Sequence, residues 1–115
     1  MYFKRNEPFR FTFTEPLVGK LYYSSNGTVT LVKVSILDVS KNGAKVYSID
    51  KIKLESGTQI KLSFEIDATS FDAVGTVNWT KPSKTSYEMG LHLDTDDTYQ
   101  TAMVSALKKI KRLNS

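Results

Sequence analysis

Phe9-Arg10-Phe11-Thr12-Phe13-Thr14 alternates apolar and polar residues at every step, the period of a strand with one face on a core. The phenylalanines are predicted to face inward and Arg10 outward, with Pro8 marking the strand start because it lacks an N–H and keeps Glu7 extended. Glu15-Pro16 reads as the end of this strand, and Val18–Tyr23 as a second one running to a turn at Ser25-Asn26-Gly27. Thr28–Leu37, Gly43–Ile49 and Gln59–Ile66 follow as further strands, the last alternating cleanly. Phe71–Trp79 is a sixth, with a bulge or bend expected at Gly75. After a turn through Lys81-Pro82-Ser83-Lys84, Tyr87–Leu93 is a seventh, with Gly90 another candidate bend.

Short strands separated by turns every ten or so residues predict an all-β barrel or sandwich of antiparallel neighbours. Beyond them the period changes. Asp94-Thr95-Asp96-Asp97 offers helix caps, and Met103, Ala106, Leu107 and Ile110 recur at helical spacing. One C-terminal helix over residues 95–113 is expected, its apolar stripe closing a barrel end. A chain of 115 residues holds one core of useful size but not two. The expectation is therefore a single domain over 1–115, with an extended basic arm at 1–8, a barrel at 9–93 and the helix after it.

Composition narrows the chemistry. Apolar residues at 40% and charged residues at 24%, without low-complexity tracts, describe a folded domain. No apolar run approaches a membrane span and the first residues do not form a signal peptide, so no membrane insertion and a cytoplasmic location are expected. The absence of cysteine excludes disulfides, thiolate metal sites and cysteine nucleophiles. His92 is the single histidine, which rules out a multi-histidine metal site within one chain. It alternates with Leu91 and Leu93 and has no nucleophile or acid beside it, so it reads as a structural histidine. Neither enzyme activity nor a cofactor is expected.

A net charge of +4 favours an anionic partner mildly, and its placement says more. Lys4, Arg5 and Arg10 crowd the N-terminus. Lys108, Lys109, Lys111 and Arg112 fall in the last turns of the expected helix, where cations offset its negative end.

Asp38-Val39-Ser40-Lys41-Asn42-Gly43 admits two readings. In one it is a hairpin turn, with Asn42-Gly43 supplying positive φ. In the other, Asp38 and Ser40 project to one side of the strand end as a polar claw, and Gly43 lets a ligand approach the backbone. A carboxylate accepts from a guanine N–H edge or an arginine, and a hydroxyl both donates and accepts.

This stretch matches the Asp-x-Ser-x-x-Gly signature of the PilZ domains, bacterial receptors for cyclic di-GMP, and the chain resembles that family over nearly its whole length. Leu54-Glu55-Ser56-Gly57, Gly75-Thr76-Val77-Asn78-Trp79 and Tyr87-Glu88-Met89-Gly90-Leu91-His92-Leu93 stand in the family's order. The resemblance implies a six- or seven-stranded antiparallel β-barrel of split-barrel type with one C-terminal α-helix. It also implies cyclic di-GMP as ligand, Asp38, Ser40 and Gly43 as ligand-binding residues, and a protein partner serving motility, adhesion or exopolysaccharide output. The family's Arg-x-x-x-Arg pair is altered, because Arg5 and Arg10 lie one residue too far apart. Arg10 takes the second position and Asn6 falls at the first. Arg5 beside it is the substitute, and Lys4 and Asn6 are further candidates.

Arginine suits a guanine-bearing dianion, since its planar fork binds phosphate or the guanine O6/N7 edge bidentately and its face stacks on bases. Two alternatives stay open. One is a PilZ-like protein-interaction module without nucleotide. The other is a barrel binding single-stranded nucleic acid, disfavoured because only Tyr22 or Tyr23 is left on a strand as a stacking platform.

Overall fold

The structure, a computed structural model, describes residues 10–49 and 52–113. Six strands are present among these residues: β1 (Arg10–Ser25), β2 (Thr28–Ser40), β3 (Gly43–Ser48), β4 (Gln59–Ile66), β5 (Thr69–Ser83) and β6 (Ser86–Asp94). One helix follows, α1 (Asp97–Leu113). All neighbouring strands are antiparallel, and they close into a barrel in the order β1-β2-β3-β6-β5-β4. The closing seam pairs Lys20–Tyr23 of β1 with Ile60–Ser63 of β4.

The barrel interior follows from the alternation. Leu21, Val32, Val34, Ile36, Val46, Leu62 and Leu93 are almost wholly buried, while intervening residues such as Lys20, Lys33 and Lys61 are exposed. Phe11 and Phe13, edge to face with one another, pack against this core, as the strand pattern predicts; Phe9 lies outside the described residues. The helix covers β4 and β5, burying Met103, Ala106 and Leu107 and setting Tyr99 edge-on to Phe71. Its N-cap is Asp96, whose carboxylate accepts from the Tyr99 N–H at 2.8 Å, so the helix begins two residues later than expected.

Several boundaries move. Glu15-Pro16 does not end a strand: the segments at Phe9–Thr14 and Val18–Tyr23 belong to one long β1, interrupted where the register breaks between Thr12 and Leu17. Four residues, Phe13–Pro16, there face the single residue Leu37. Pro16, with no N–H to give the ladder, sits within that break. The turn at Asn26-Gly27 has positive φ at both residues, the geometry that joins right-twisted strands tightly. A second turn of this kind, at Asp67-Ala68, carries no glycine to announce it.

Two bulges matter for the outer surface. Between β2 and β3 the pairs run Ile36 with Val46, then Asp38 with Lys45, leaving Leu37 as an extra residue. Between β5 and β6 they run Val77 with Leu91, then Trp79 with Gly90, leaving Asn78 extra. An inserted residue shifts the side-chain phase by one and turns the residues after it to the other face. Asp38 and Ser40 thereby point outward from the barrel, and so does Trp79, which would otherwise join Val77 inside. The expected bulge at Gly75 thus lies three residues further on. Gly75 has another purpose: a Cβ there would fall 1.9 Å from the His92 carbonyl oxygen.

Candidate functional site

The outer face of five adjacent strands carries two parallel rows of side chains. Register places Arg10, Ser40, Gly43, His92 and Thr76 in one row, and Thr12, Asp38, Lys45, Gly90 and Trp79 in the next. Gly43 at the centre of the first row and Gly90 next to Lys45 in the second leave a floor of bare backbone, with Arg10 and Trp79 at opposite edges. The result is an open cavity of about 340 Å³ lined by Arg10, Ser40, Lys45, Trp79 and His92 around Gly43 and Gly90, within the usual size range of ligand sites.

Asp38 and Ser40 are both buried, at 4% exposure, because neighbouring side chains close over them. The Arg10 guanidinium donates to Asp38 Oδ1 at 2.8 Å, and Lys45 Nζ stands 3.8 Å from Asp38 Oδ2. Of the two partners open to this carboxylate, a guanine edge or an arginine, the structure shows the arginine. Asp38 holds two cations at the cavity wall. No hydrogen bond among the described residues engages the Ser40 hydroxyl, which lines the cavity.

The hairpin reading of this stretch is also revised. Neither Asn42 nor Gly43 has positive φ; the turn residues are Lys41 and Asn42, and Gly43 opens β3. Asn42 Nδ2 donates to Thr95 Oγ1 at 3.0 Å, Thr95 Oγ1 donates to the Lys41 carbonyl at 2.7 Å, and the Leu93 N–H donates to the Asn42 carbonyl. These bonds tie the turn to the segment that enters the helix. Gly43 is needed for close approach: a Cβ would lie 2.8 Å from the Leu91 carbonyl oxygen and 3.4 Å from Ser40 Oγ.

Trp79, the single tryptophan, lies over Gly90, where a Cβ would fall 2.1 Å from its Nε1. Lys81 Nζ sits 5.5 Å from the ring centroid. His92 is not packed into a core; its side chain is 53% exposed at the cavity, with Nε2 3.6 Å from Asp94 Oδ1. Trp79, Lys45 and His92 are site residues that strand alternation did not single out. Lys45 and His92 share the outward phase of many surface residues, and only the Asn78 bulge brings Trp79 to this face. Of the sequence candidates, the structure brings together Arg10, Asp38, Ser40 and Gly43. Lys4, Arg5 and Asn6 lie outside the described residues.

Tyr22 and Tyr23 line a separate cavity that reaches Thr76 and Asp94; the Tyr22 ring carries Lys61 Nζ at 5.0 Å and Tyr23 packs against the core.

The sequence model of the PilZ domain family matches residues 4–109, and the chain belongs to that family. Its structure is similar to that of the PilZ domain with c-di-GMP of YcgR from Escherichia coli, with a TM-score of 0.70 and 10% identity over 92% of this chain and 91% of that one. It is also similar to the Bacillus subtilis inhibitor of motility MotI/DgrA, at TM-score 0.68 and 16% identity over 99% of this chain; this chain spans 54% of that protein. The PilZ domain of CeSA from a cellulose-synthesizing bacterium superimposes at TM-score 0.57 with 15% identity, over 93% of this chain and 99% of that one. No curated protein matches the chain in sequence. The family consists of binding modules rather than enzymes. Among the described residues no helix is long and apolar enough to cross a membrane.

Proposed function

We propose that the chain is a cyclic di-GMP receptor domain that relays the second messenger to a protein partner, with motility, adhesion or exopolysaccharide output as its field of action. The observation that supports it is the juxtaposition of Arg10, Ser40, Gly43 and Trp79 around one cavity on the outer barrel face. A guanidinium fork suits phosphate or the guanine O6/N7 edge, a free hydroxyl suits a base or phosphate, bare backbone admits the ligand closely, and an indole offers a stacking surface. Asp38 acts first by presenting Arg10 and Lys45. If Arg10 turns to a phosphate, the released carboxylate can accept from the guanine N–H edge. Arg5, with Lys4 and Asn6, would complete the phosphate contacts from the arm. The YcgR PilZ domain, seen with c-di-GMP, has the same fold.

Calorimetry with cyclic di-GMP, set against a single-stranded oligonucleotide, tests the proposal. Saturable heat with the dinucleotide alone is expected. Heat with neither supports a nucleotide-free protein-interaction module, the reading favoured by the altered Arg5–Arg10 spacing. Heat with the oligonucleotide alone overturns the receptor reading in favour of nucleic-acid binding.

A further inference from the structure

We infer that His92 makes nucleotide binding at this cavity dependent on pH, its protonation adding a positive charge to the cavity wall. The inference rests on the receptor reading above. Its structural basis is the arrangement of charge among the described residues. Two permanent cations line the cavity, Arg10 from β1 and Lys45 from β3, and both are directed to the Asp38 carboxylate of β2. A second carboxylate, Asp94 of β6, stands 3.6 Å from His92 Nε2. From β5, Lys81 reaches the rim beside Trp79, and Glu88 of β6 matches it at 3.5 Å. The strands flanking His92 place only Gly43 and Thr76 directly opposite it. Arg10 and Lys45 thus share one carboxylate and Lys81 has its own, so protonation of His92 beside Asp94 adds a further positive charge at the cavity.

Cyclic di-GMP carries two phosphodiester charges that persist across the range in which histidine titrates. A neutral imidazole has one N–H and one acceptor nitrogen, whereas the protonated ring has two N–H donors. One can stay with Asp94 while the other meets a phosphate or guanine acceptor. The 53% exposure of the side chain lets it exchange protons with solvent and reorient.

The test is titration of the full chain with cyclic di-GMP at about pH 5.5 and about pH 8, the interval over which histidine is the side chain that changes charge. The wild-type chain should bind about three- to tenfold more tightly at the lower pH, the size of one charge-assisted hydrogen bond over a neutral one. His92→Gln, which keeps a polar side chain without a titrating ring, should lose the difference. His92→Arg should bind at the higher pH as tightly as at the lower. Equal wild-type affinity at both pH values, or an undiminished pH dependence in His92→Gln, overturns the role of His92 and leaves the receptor reading intact. No binding at either pH overturns both.

Discussion

The Arg10 guanidinium reaches the Asp38 carboxylate across 2.8 Å although the ladder pairs Arg10 with Ser40 and Thr12 with Asp38. The contact is diagonal, from a half-exposed cation to a buried anion. Removing the cation leaves a buried carboxylate whose remaining partner is the more distant Lys45. Arg10→Ala should therefore destabilise the fold by about 1–3 kcal/mol, and Asp38→Ala should also cost stability rather than gain it, because the pair is already formed. Denaturant melts of both single variants and the double variant check this. The double variant should be more stable than the sum of the single losses predicts.

Ser40→Ala separates binding from stability. Its hydroxyl lines the cavity and has no hydrogen bond among the described residues, so truncation should move the melting midpoint little. Cyclic di-GMP affinity should fall by roughly fivefold or more, the value of about 1 kcal/mol for one hydrogen bond. An unchanged affinity would place the ligand elsewhere on the barrel.

Three glycines of the barrel wall, Gly43 and Gly90 at the cavity and Gly75 outside it, should respond differently to alanine because the obstructing atoms differ. At Gly75 the new methyl meets the His92 carbonyl at 1.9 Å, and at Gly43 it meets the Leu91 carbonyl at 2.8 Å. Backbone in a closed ladder gives way little, so Gly75→Ala should be the most damaging and Gly43→Ala next, each costing about 1–3 kcal/mol. At Gly90 the obstacle is the Trp79 ring, which is 39% exposed and can swing away. Gly90→Ala should keep most of the stability but shift the emission of the single tryptophan and weaken the proposed binding of cyclic di-GMP.

Tyr99 supplies an alkaline limit to stability. Burial between the helix that carries it and the barrel, with Asp72 adding repulsion, raises its pKa from the usual 10.0 to about 12. The folded chain then holds a proton that the unfolded chain releases first. Stability from this group is complete below pH 10 and is lost as pH rises towards 12, on the order of 2 kcal/mol in all. Its hydroxyl is also buried without a hydrogen-bond partner among the described residues. Tyr99→Phe should accordingly be neutral or stabilising at neutral pH, and it should flatten the alkaline decline in melts followed from about pH 9 to about pH 11.

Local chemistry alone determined much of this molecule. Strict alternation from Phe9 to Thr14 and from Gln59 to Ile66 can satisfy only strands with one buried face, and the Met103, Ala106, Leu107 stripe only a helix. Asn26-Gly27 could be read as a turn because its residues accept positive φ cheaply. The Asp38–Gly43 signature placed Asp38, Ser40 and Gly43 together because all three lie within six residues of one hairpin.

The rest depended on which strand lies beside which. A bulge has no residue type of its own: Leu37 and Asn78 are extra only relative to the strands they face. Without that register, the outward turn of Asp38, Ser40 and Trp79 is invisible in the alternation. The merger of two expected strands into β1 was hidden for the same reason, since Pro16 is tolerated only where the ladder is already broken. Lys45, Trp79 and His92 come from β3, β5 and β6, and the pairing of β3 with β6 and of β6 with β5 brings them to the face that carries Arg10. The chain's own pattern decides which residues can face outward, and tertiary register decides which of them meet, because a side chain's neighbours across a sheet are set by hydrogen-bonded pairing and not by sequence distance.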